Sequence, residues 1–393
     1  MSATDGYGQA LRQSSNHHIR GEVMPGFEHV ERVFLEQFER GDVGSALSVY
    51  QNGHAVVDIA AGTANVLTGA PYIPDTLQLV FSTTKGMTAL VAHALVERGL
   101  LSLDVPVAQY WPEFAQGEKG DIPVRWLLTH EAGLVALDQP ISHEEFLNWD
   151  LVCARLAAQR PLWKPGARHG YHSLTYGFLV GEVVRRITGC TIGNWFQEHI
   201  AKPLGASFYI GLPEHLESRV AVLITSPEFF SFVSADSDPH ALSNRAMNFV
   251  TPALGVSDFN KQSFHRAELP AINGIGTAHA LARIYAAMIG VVDDVRLLGE
   301  ETVERIRQQQ WRGNDLVNTS FKDDAVGMGF MLPGAHCPLG GPGSFGSAGI
   351  GGSRAWALPE RNLAFAYVLN RCTAQVPDSR ETALSRAVLE CAE

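Results

Sequence analysis

The chain has 393 residues, 46% of them hydrophobic, enough to fill a sizeable core in two domains or in one large domain with an insertion. Thirty basic residues against 41 acidic ones give a formal net charge of −11, and Lys and Arg are scattered, so the electrostatic footprint expected for nucleic acid or an anionic lipid surface is missing. No apolar run is long enough to span a membrane. The five cysteines, odd in number and without a Cys-x-x-Cys pair, fit reduced thiols in a cytoplasmic protein better than a disulfide frame or a zinc site.

Met1 to Gly26 is polar and lacks the apolar run of a secretory signal, so a loosely ordered arm is predicted there. Val30 to Phe38 reads as helix. Ala46 to Tyr50 and Ala55 to Ile59 then read as strands joined through Asn52-Gly53, a hairpin signal. Leu77 to Phe81 is apolar, and Met87, Leu90, Val91, Ala94 and Leu95 follow at helical spacing before Gly99, which predicts a buried helix. From about residue 110 to 270 the pattern is mostly helical, as in Thr175 to Thr188. Within it, Thr225 to His265 mixes Phe229, Phe230, Phe232, Phe249, Phe259 and Phe264 with turn residues and reads as a packed loop region, with an acyl-pocket wall as the sharper alternative. Ala278 to Ile289 is helical, Ser353 to Leu358 and Leu363 to Leu369 form a second strand pair, and Ser379 to Cys391 is helical.

The expected fold class is therefore α+β: an antiparallel sheet flanked by helices and built from both chain ends, with an inserted, mostly helical domain. The expected boundaries are an arm at 1–26, a sheet domain at 27–110 and 271–393, and a helical domain at 111–270. Gly341-x-Gly343-x-x-Gly346 matches a dinucleotide pattern, but a glycine-rich turn and a strand follow where that fingerprint requires a helix. No phosphate-cradling loop occurs, so no cofactor is expected. His169 and His172 are three apart, but Gly170 interrupts them and no carboxylate lies near in sequence, so packing or loop hydrogen bonding is expected in place of a metal.

The chemistry concentrates at Ser82-Thr83-Thr84-Lys85. Residues at i and i+3 are neighbours on a helix surface, so a hydroxyl nucleophile and an amine base share one face. A serine in the first helical turn also sits in the positive field of the helix N-terminus, where a developing oxyanion is stabilised. A further proton-transfer group is needed, and Tyr171, in Tyr171-His172-Ser173 after the Pro165-Gly166 turn, is the best candidate. With a reference pKa of about 10, a phenol serves as a base only with help from a cation such as Lys85 or in concert with the lysine amine.

Together, Ser82-x-x-Lys85, Tyr171-x-Ser173 and Phe345-Gly346-Ser347-Ala348-Gly349-Ile350-Gly351-Gly352-Ser353 resemble the serine β-lactamase and penicillin-binding-protein superfamily, and within it the class C-like carboxylesterase branch. Order and spacing agree from about residue 27 to 370. Gly99-Leu100-Leu101-Ser102-Leu103-Asp104 and Leu127-Leu128-Thr129-His130-Glu131-Ala132-Gly133-Leu134 also look like that branch. The resemblance implies catalytic Ser82, Lys85 and Tyr171, an oxyanion hole made by the Ser82 and Ile350 backbone N–H groups, and Ser173, Ser347 and Gly349 as substrate-binding residues. Two positions depart from the lactamase pattern: Ser173 replaces an asparagine, and Ser347-Ala348-Gly349 replaces Lys-Thr-Gly. The missing lysine removes the cation that would pair with a substrate carboxylate, and a serine offers a neutral hydrogen bond roughly half as strong as a charge-assisted one. The expected activity is thus serine carboxylesterase, acting on small or medium acyl esters through a Ser82 acyl-enzyme. A β-lactamase, D-amino peptidase or acyltransferase on the same fold, and a catalytically silent binding protein, remain the alternatives. An α/β-hydrolase is disfavoured because no Gly-x-Ser-x-Gly elbow occurs.

Overall fold

The computed structural model describes residues 18–225, 229, 238, 241–318, 323–335, 337–373 and 378–392. Arg20–Val23 (β1) precedes the helix Glu28–Glu39 (α1), which is followed by the hairpin Gly44–Gln51 (β2) and His54–Asn65 (β3). Positive φ at both Asn52 (52°) and Gly53 (80°) gives the turn the tight geometry its sequence predicts. The helix Thr84–Glu97 (α2) comes next, then a mostly helical stretch containing Thr175–Thr188 (α3), and the helix Ala278–Ile289 (α4). The chain closes with Trp311–Gly313 (β4), Asp324–Val326 (β5), Met331–Leu332 (β6), Phe345–Ala348 (β7), Arg354–Leu358 (β8), Leu363–Leu369 (β9) and the helix Ser379–Cys391 (α5).

The strands pair in the order β1-β3-β2-β9-β8-β7-β6-β5-β4, every pairing antiparallel, so the two chain ends meet where Leu363–Leu369 runs beside Gly44–Gln51. The expected α+β class with an antiparallel sheet is what the chain adopts. The arm reading needs correction at its end. Arg20–Val23 pairs with Val57–Ala60 as an edge strand, and Met1 to His17 lie outside the described residues. A four-residue Arg-Gly-Glu-Val segment carries almost no strand propensity of its own, and its partner supplies the order.

Alternation along the central strands explains how both faces are covered. Leu47, Val49, Trp356, Leu358, Phe365 and Tyr367 point to one face, against α1 and α5. Ala46, Ala355, Ala357, Ala364 and Ala366 point to the other, and these small side chains let the alanine-rich α4 lie close against the sheet. Helix α2 is buried from Thr84 to Leu95, with no polar face, as expected of a helix enclosed on all sides. In the Thr225 to His265 stretch, Phe230 and Phe232 lie outside the described residues. The described part contains the short helices Leu242–Asn248, Val256–Phe259 and Gln262–Arg266, so it is more helical than a loop region, and Phe229, Phe249, Phe259 and Phe264 are buried. No helix among the described residues is long and apolar enough to cross a membrane.

Candidate active site

The segment entering α2 is held at both sides. The Val80 N–H donates to the Gly274 carbonyl (2.9 Å), and Phe81 then turns through a left-handed conformation (φ 46°) that is costly for a non-glycine residue. This turn presents Ser82 at the helix entrance, where the Lys85 N–H closes the first turn on the Ser82 carbonyl (3.0 Å). Thr83 Oγ1 donates to the Ser353 carbonyl (3.2 Å), and Ser353 Oγ donates to the Val80 carbonyl (2.7 Å), which staples the helix start to the beginning of β8. The Gly349–Gly352 turn is thereby drawn across Ser82. A Cβ at Gly349 would stand 2.3 Å from the Val80 carbonyl oxygen and 2.2 Å from Ser353 Oγ, so only glycine allows this approach. Neither the Ser82 N–H, at the helix start, nor the Ile350 N–H, in the glycine-rich turn, makes a backbone hydrogen bond among the described residues.

Lys85 Nζ lies 3.1 Å from Ser82 Oγ, 2.9 Å from the Ser173 carbonyl and 3.0 Å from the Ala271 carbonyl. Burial holds its amine well below the usual lysine range. A neutral amine donates its two N–H groups to the two carbonyls, and its lone pair then faces the Ser82 hydroxyl. The Tyr171 ring covers the same amine, with Nζ 4.6 Å from its centroid. Burial pushes the Tyr171 phenol above its usual range, opposed by its hydrogen bond with Ser82 and reinforced by the Asp315 and Cys337 charges. Ser82, Lys85 and Tyr171, separated by up to 89 positions in sequence, thus share one contact cluster.

Two residues with no part in the sequence reading of the site hold Tyr171. Asp315 accepts the Tyr171 N–H on both carboxylate oxygens (2.9 and 3.2 Å), together with the Val317 and Asn318 N–H groups, and His169 Nδ1 lies 2.8 Å from its Oδ2. Burial is the largest influence on this carboxyl and pushes it up, but the bonds from His169, Asn318 and Val317 outweigh it and hold the group below the ordinary range. His130, at φ 61°, packs its ring 4.8 Å from that of Tyr171 and accepts the His172 N–H on Nδ1 (3.1 Å). His172 is locked by its own bonds, Nδ1 to the Gly170 carbonyl (2.7 Å) and Nε2 to the Leu134 N–H (3.0 Å). Burial lowers its pKa to about 3. His172 thus makes the loop hydrogen bonds expected of it, and His169 stacks on Trp311 at 4.0 Å.

Ser173, Ser347 and Gly349 line one cleft with Ser82, Lys85 and Tyr171, a cavity of about 330 Å³. Ser347 Oγ accepts the Tyr285 hydroxyl at 3.1 Å and is anchored against the helical layer. Phe81, Phe229, Leu254, Phe259 and Ile272 form an apolar wall, with the Phe81 and Phe259 rings 5.1 Å apart edge to face. Arg354 reaches the cleft, but its guanidinium is committed to Glu381 (2.9 Å) and to Cys337 Sγ (3.2 Å). Among the described lining residues, Lys85 and Arg354 are the lysine and arginine side chains, and neither is free for a substrate carboxylate. The signal for His130 was present in the Leu127 to Leu134 segment, whereas nothing in the sequence marks Asp315.

The profile of the family described as "Beta-lactamase" matches residues 27–390. "Esterase/beta-lactamase LipL" of Mycobacterium tuberculosis is 35% identical over 369 residues, covering 90% of this chain and 83% of that protein. Among solved structures, a family VIII carboxylesterase superposes with a TM-score of 0.87 at 32% identity, over 95% of this chain and all of the other. EstA from Arthrobacter nitroguajacolicus Rue61a superposes with a TM-score of 0.85 at 34% identity, over 95% of this chain and 98% of the other.

Proposed function

Since the chain belongs to the beta-lactamase family and is a serine hydrolase of esters, we propose that it is a carboxylesterase that cleaves small or medium neutral acyl esters through a Ser82 acyl-enzyme. The observation that carries this reading is the buried amine of Lys85, tied to two carbonyls and 3.1 Å from Ser82 Oγ. Lys85 takes the Ser82 proton as Oγ attacks the ester carbonyl, and the oxyanion is received by the Ser82 and Ile350 N–H groups. The ester C–O bond breaks, and the alcohol leaves with a proton delivered by Tyr171, which regains one from Lys85. Water then attacks the acyl-enzyme, the same pair accepting its proton and returning it to Ser82 Oγ as the acyl C–Oγ bond breaks, which releases the carboxylic acid.

The apolar wall supports an acyl chain or an apolar alcohol as ligand, and the absence of an uncommitted lysine or arginine among the described lining residues supports neutral substrates over penicillins. Ser173 and Ser347 act as neutral hydrogen-bonding groups at the cleft, and Gly349 carries the turn that presents Ile350. The test is hydrolysis of p-nitrophenyl acetate, butyrate and octanoate beside a chromogenic cephalosporin, comparing wild type with Ser82→Ala. Ester turnover abolished by the substitution, with little cephalosporin cleavage, is the expected result. Unchanged ester turnover in Ser82→Ala would remove Ser82 as nucleophile, and dominant cephalosporin cleavage would move the protein to the lactamases.

A further inference from the structure

The His130 ring has a definite orientation and tautomer, set by backbone contacts on two loops. Its carbonyl accepts the Gly170 N–H (3.1 Å), and its Nδ1 accepts the His172 N–H (3.1 Å). A nitrogen that accepts from a backbone N–H carries no proton, so in the neutral ring the proton sits on Nε2. Burial, followed by the neighbouring His172, His169 and Lys85, holds the imidazole well below the usual histidine range, so the neutral form is the working form.

Nε2 makes no hydrogen bond among the described residues and keeps some exposure, and His130 lines the cleft beside Tyr171. Its N–H is therefore open to the cleft. His130 is also held at φ 61°, a conformation that strains a non-glycine residue and recurs at functional sites. Packing against Tyr171 explains the ring, but it does not explain an oriented donor facing the space where the ester sits.

We propose that His130 is a substrate-contacting residue, its Nε2–H donating a hydrogen bond to an oxygen of the bound ester next to the Tyr171 hydroxyl. The proposal rests on the Ser82–Lys85–Tyr171 reading of the site. It adds a neutral donor to that site, which fits a substrate acceptor atom without favouring an anion.

Two variants separate this role from a structural one, because asparagine reproduces the Nδ1 end of histidine and glutamine the Nε2 end. His130→Asn keeps an acceptor for the His172 N–H and tolerates positive φ, but it removes the cleft donor. His130→Gln retains a donor at the cleft and loses the loop bond. The expected order of kcat/KM for p-nitrophenyl butyrate is wild type, then Gln, then Asn, with Asn about ten-fold down, the worth of one hydrogen bond. The expected order of thermal stability is the reverse, Asn above Gln. Asn retaining wild-type activity, or activity following stability in both variants, overturns the proposal. Wild-type protein with 15N-labelled histidine supplies a measurement independent of folding in the variants. The His130 Nε2–H resonance is expected to shift when a p-nitrophenyl phosphonate phosphonylates Ser82 with loss of p-nitrophenolate, and an unmoved resonance overturns the proposal. Ser82→Ala runs alongside: if it stays active the site reading itself fails, whereas an inactive Ser82→Ala with a fully active His130→Asn refutes only the His130 contact.

Discussion

Gly349→Ala tests whether the turn after β7 supplies half of the oxyanion hole. The new methyl carbon would stand 2.3 Å from the Val80 carbonyl oxygen and 2.2 Å from Ser353 Oγ, against an ordinary contact distance that begins at 3.4 Å. The Val80 oxygen is backbone, so the turn itself must retreat by about 1 Å, and it carries the Ile350 N–H with it. A donor moved that far no longer bonds an oxyanion well, and losing one such donor costs about 3 kcal/mol, or 10² to 10³ in kcat. The ground-state ester depends less on that donor, so KM should change little. Steady-state kinetics with p-nitrophenyl butyrate, beside a thermal melt that confirms folding, make the measurement. A folded Gly349→Ala enzyme with kcat within threefold of wild type would refute the assignment of Ile350.

The pH profile carries a second expectation. Lys85 titrates well below the usual lysine range and Tyr171 above the usual phenol range, so kcat/KM should rise with pH along a limb well below that of a free lysine and show no falling limb before the alkaline range of a free tyrosine; a falling limb centred below pH 8 would contradict the phenol's assignment. Asp315→Asn is expected to lower kcat by about ten-fold or more with a smaller change in KM, since it weakens the grip on the Tyr171 N–H and removes the charge paired with His169; unchanged kcat in a folded variant would make Asp315 purely architectural. Stability should fall with acid. His172 stays neutral down to about pH 3 in the fold but protonates near 6.5 when unfolded, so the unfolded state binds more protons as pH falls through 6.5. That is a loss of about 2 kcal/mol between pH 7.5 and 5 from this group alone, and equal urea midpoints at the two pH values would count against it. Arg380→Gln should destabilise by about 3–5 kcal/mol, because it strands the buried carboxylates of Asp42 and Asp378, now paired at 2.7 and 2.6 Å; denaturant unfolding that shows less than about 1 kcal/mol would refute a structural role for these ion pairs.

What was legible in the sequence was what is local. Thr175–Thr188 was read residue for residue because its apolar period runs unbroken to Gly189, whose left-handed φ of 73° stops the helix. Ser82 and Lys85 were found because one helical turn joins them. Tyr171 is a candidate from its place after the Pro165-Gly166 turn, but its catalytic role comes from the family resemblance, since its partners Lys85 and Asp315 are 86 and 144 positions away. Asp315 left no signal, because an aspartate in a Gly-Asn-Asp segment reads as an ordinary turn residue until His169 and Tyr171 are brought to it by the fold. Arg20–Val23 was missed for a related reason: short edge strands take their order from the neighbour they pair with.

Burial acts on an amine and a phenol in opposite directions, and the cleft uses both effects. It disfavours the ammonium form of Lys85 and the phenolate form of Tyr171, so the uncharged forms of the two groups are favoured side by side. A charged pair in the same place would need counter-ions, and the two carbonyls on Lys85 Nζ supply only dipoles. The neutral pair also accounts for the missing lysine beside Ser347. In a site that works by keeping its amine neutral, a second ammonium nearby would lower the Lys85 pKa further and require its own anion, which a carboxylate substrate would bring. Without that cation, the described lining residues offer an anionic ligand no free lysine or arginine to offset its desolvation. On the proposed function, neutral catalytic groups and neutral substrates are in this sense one electrostatic arrangement.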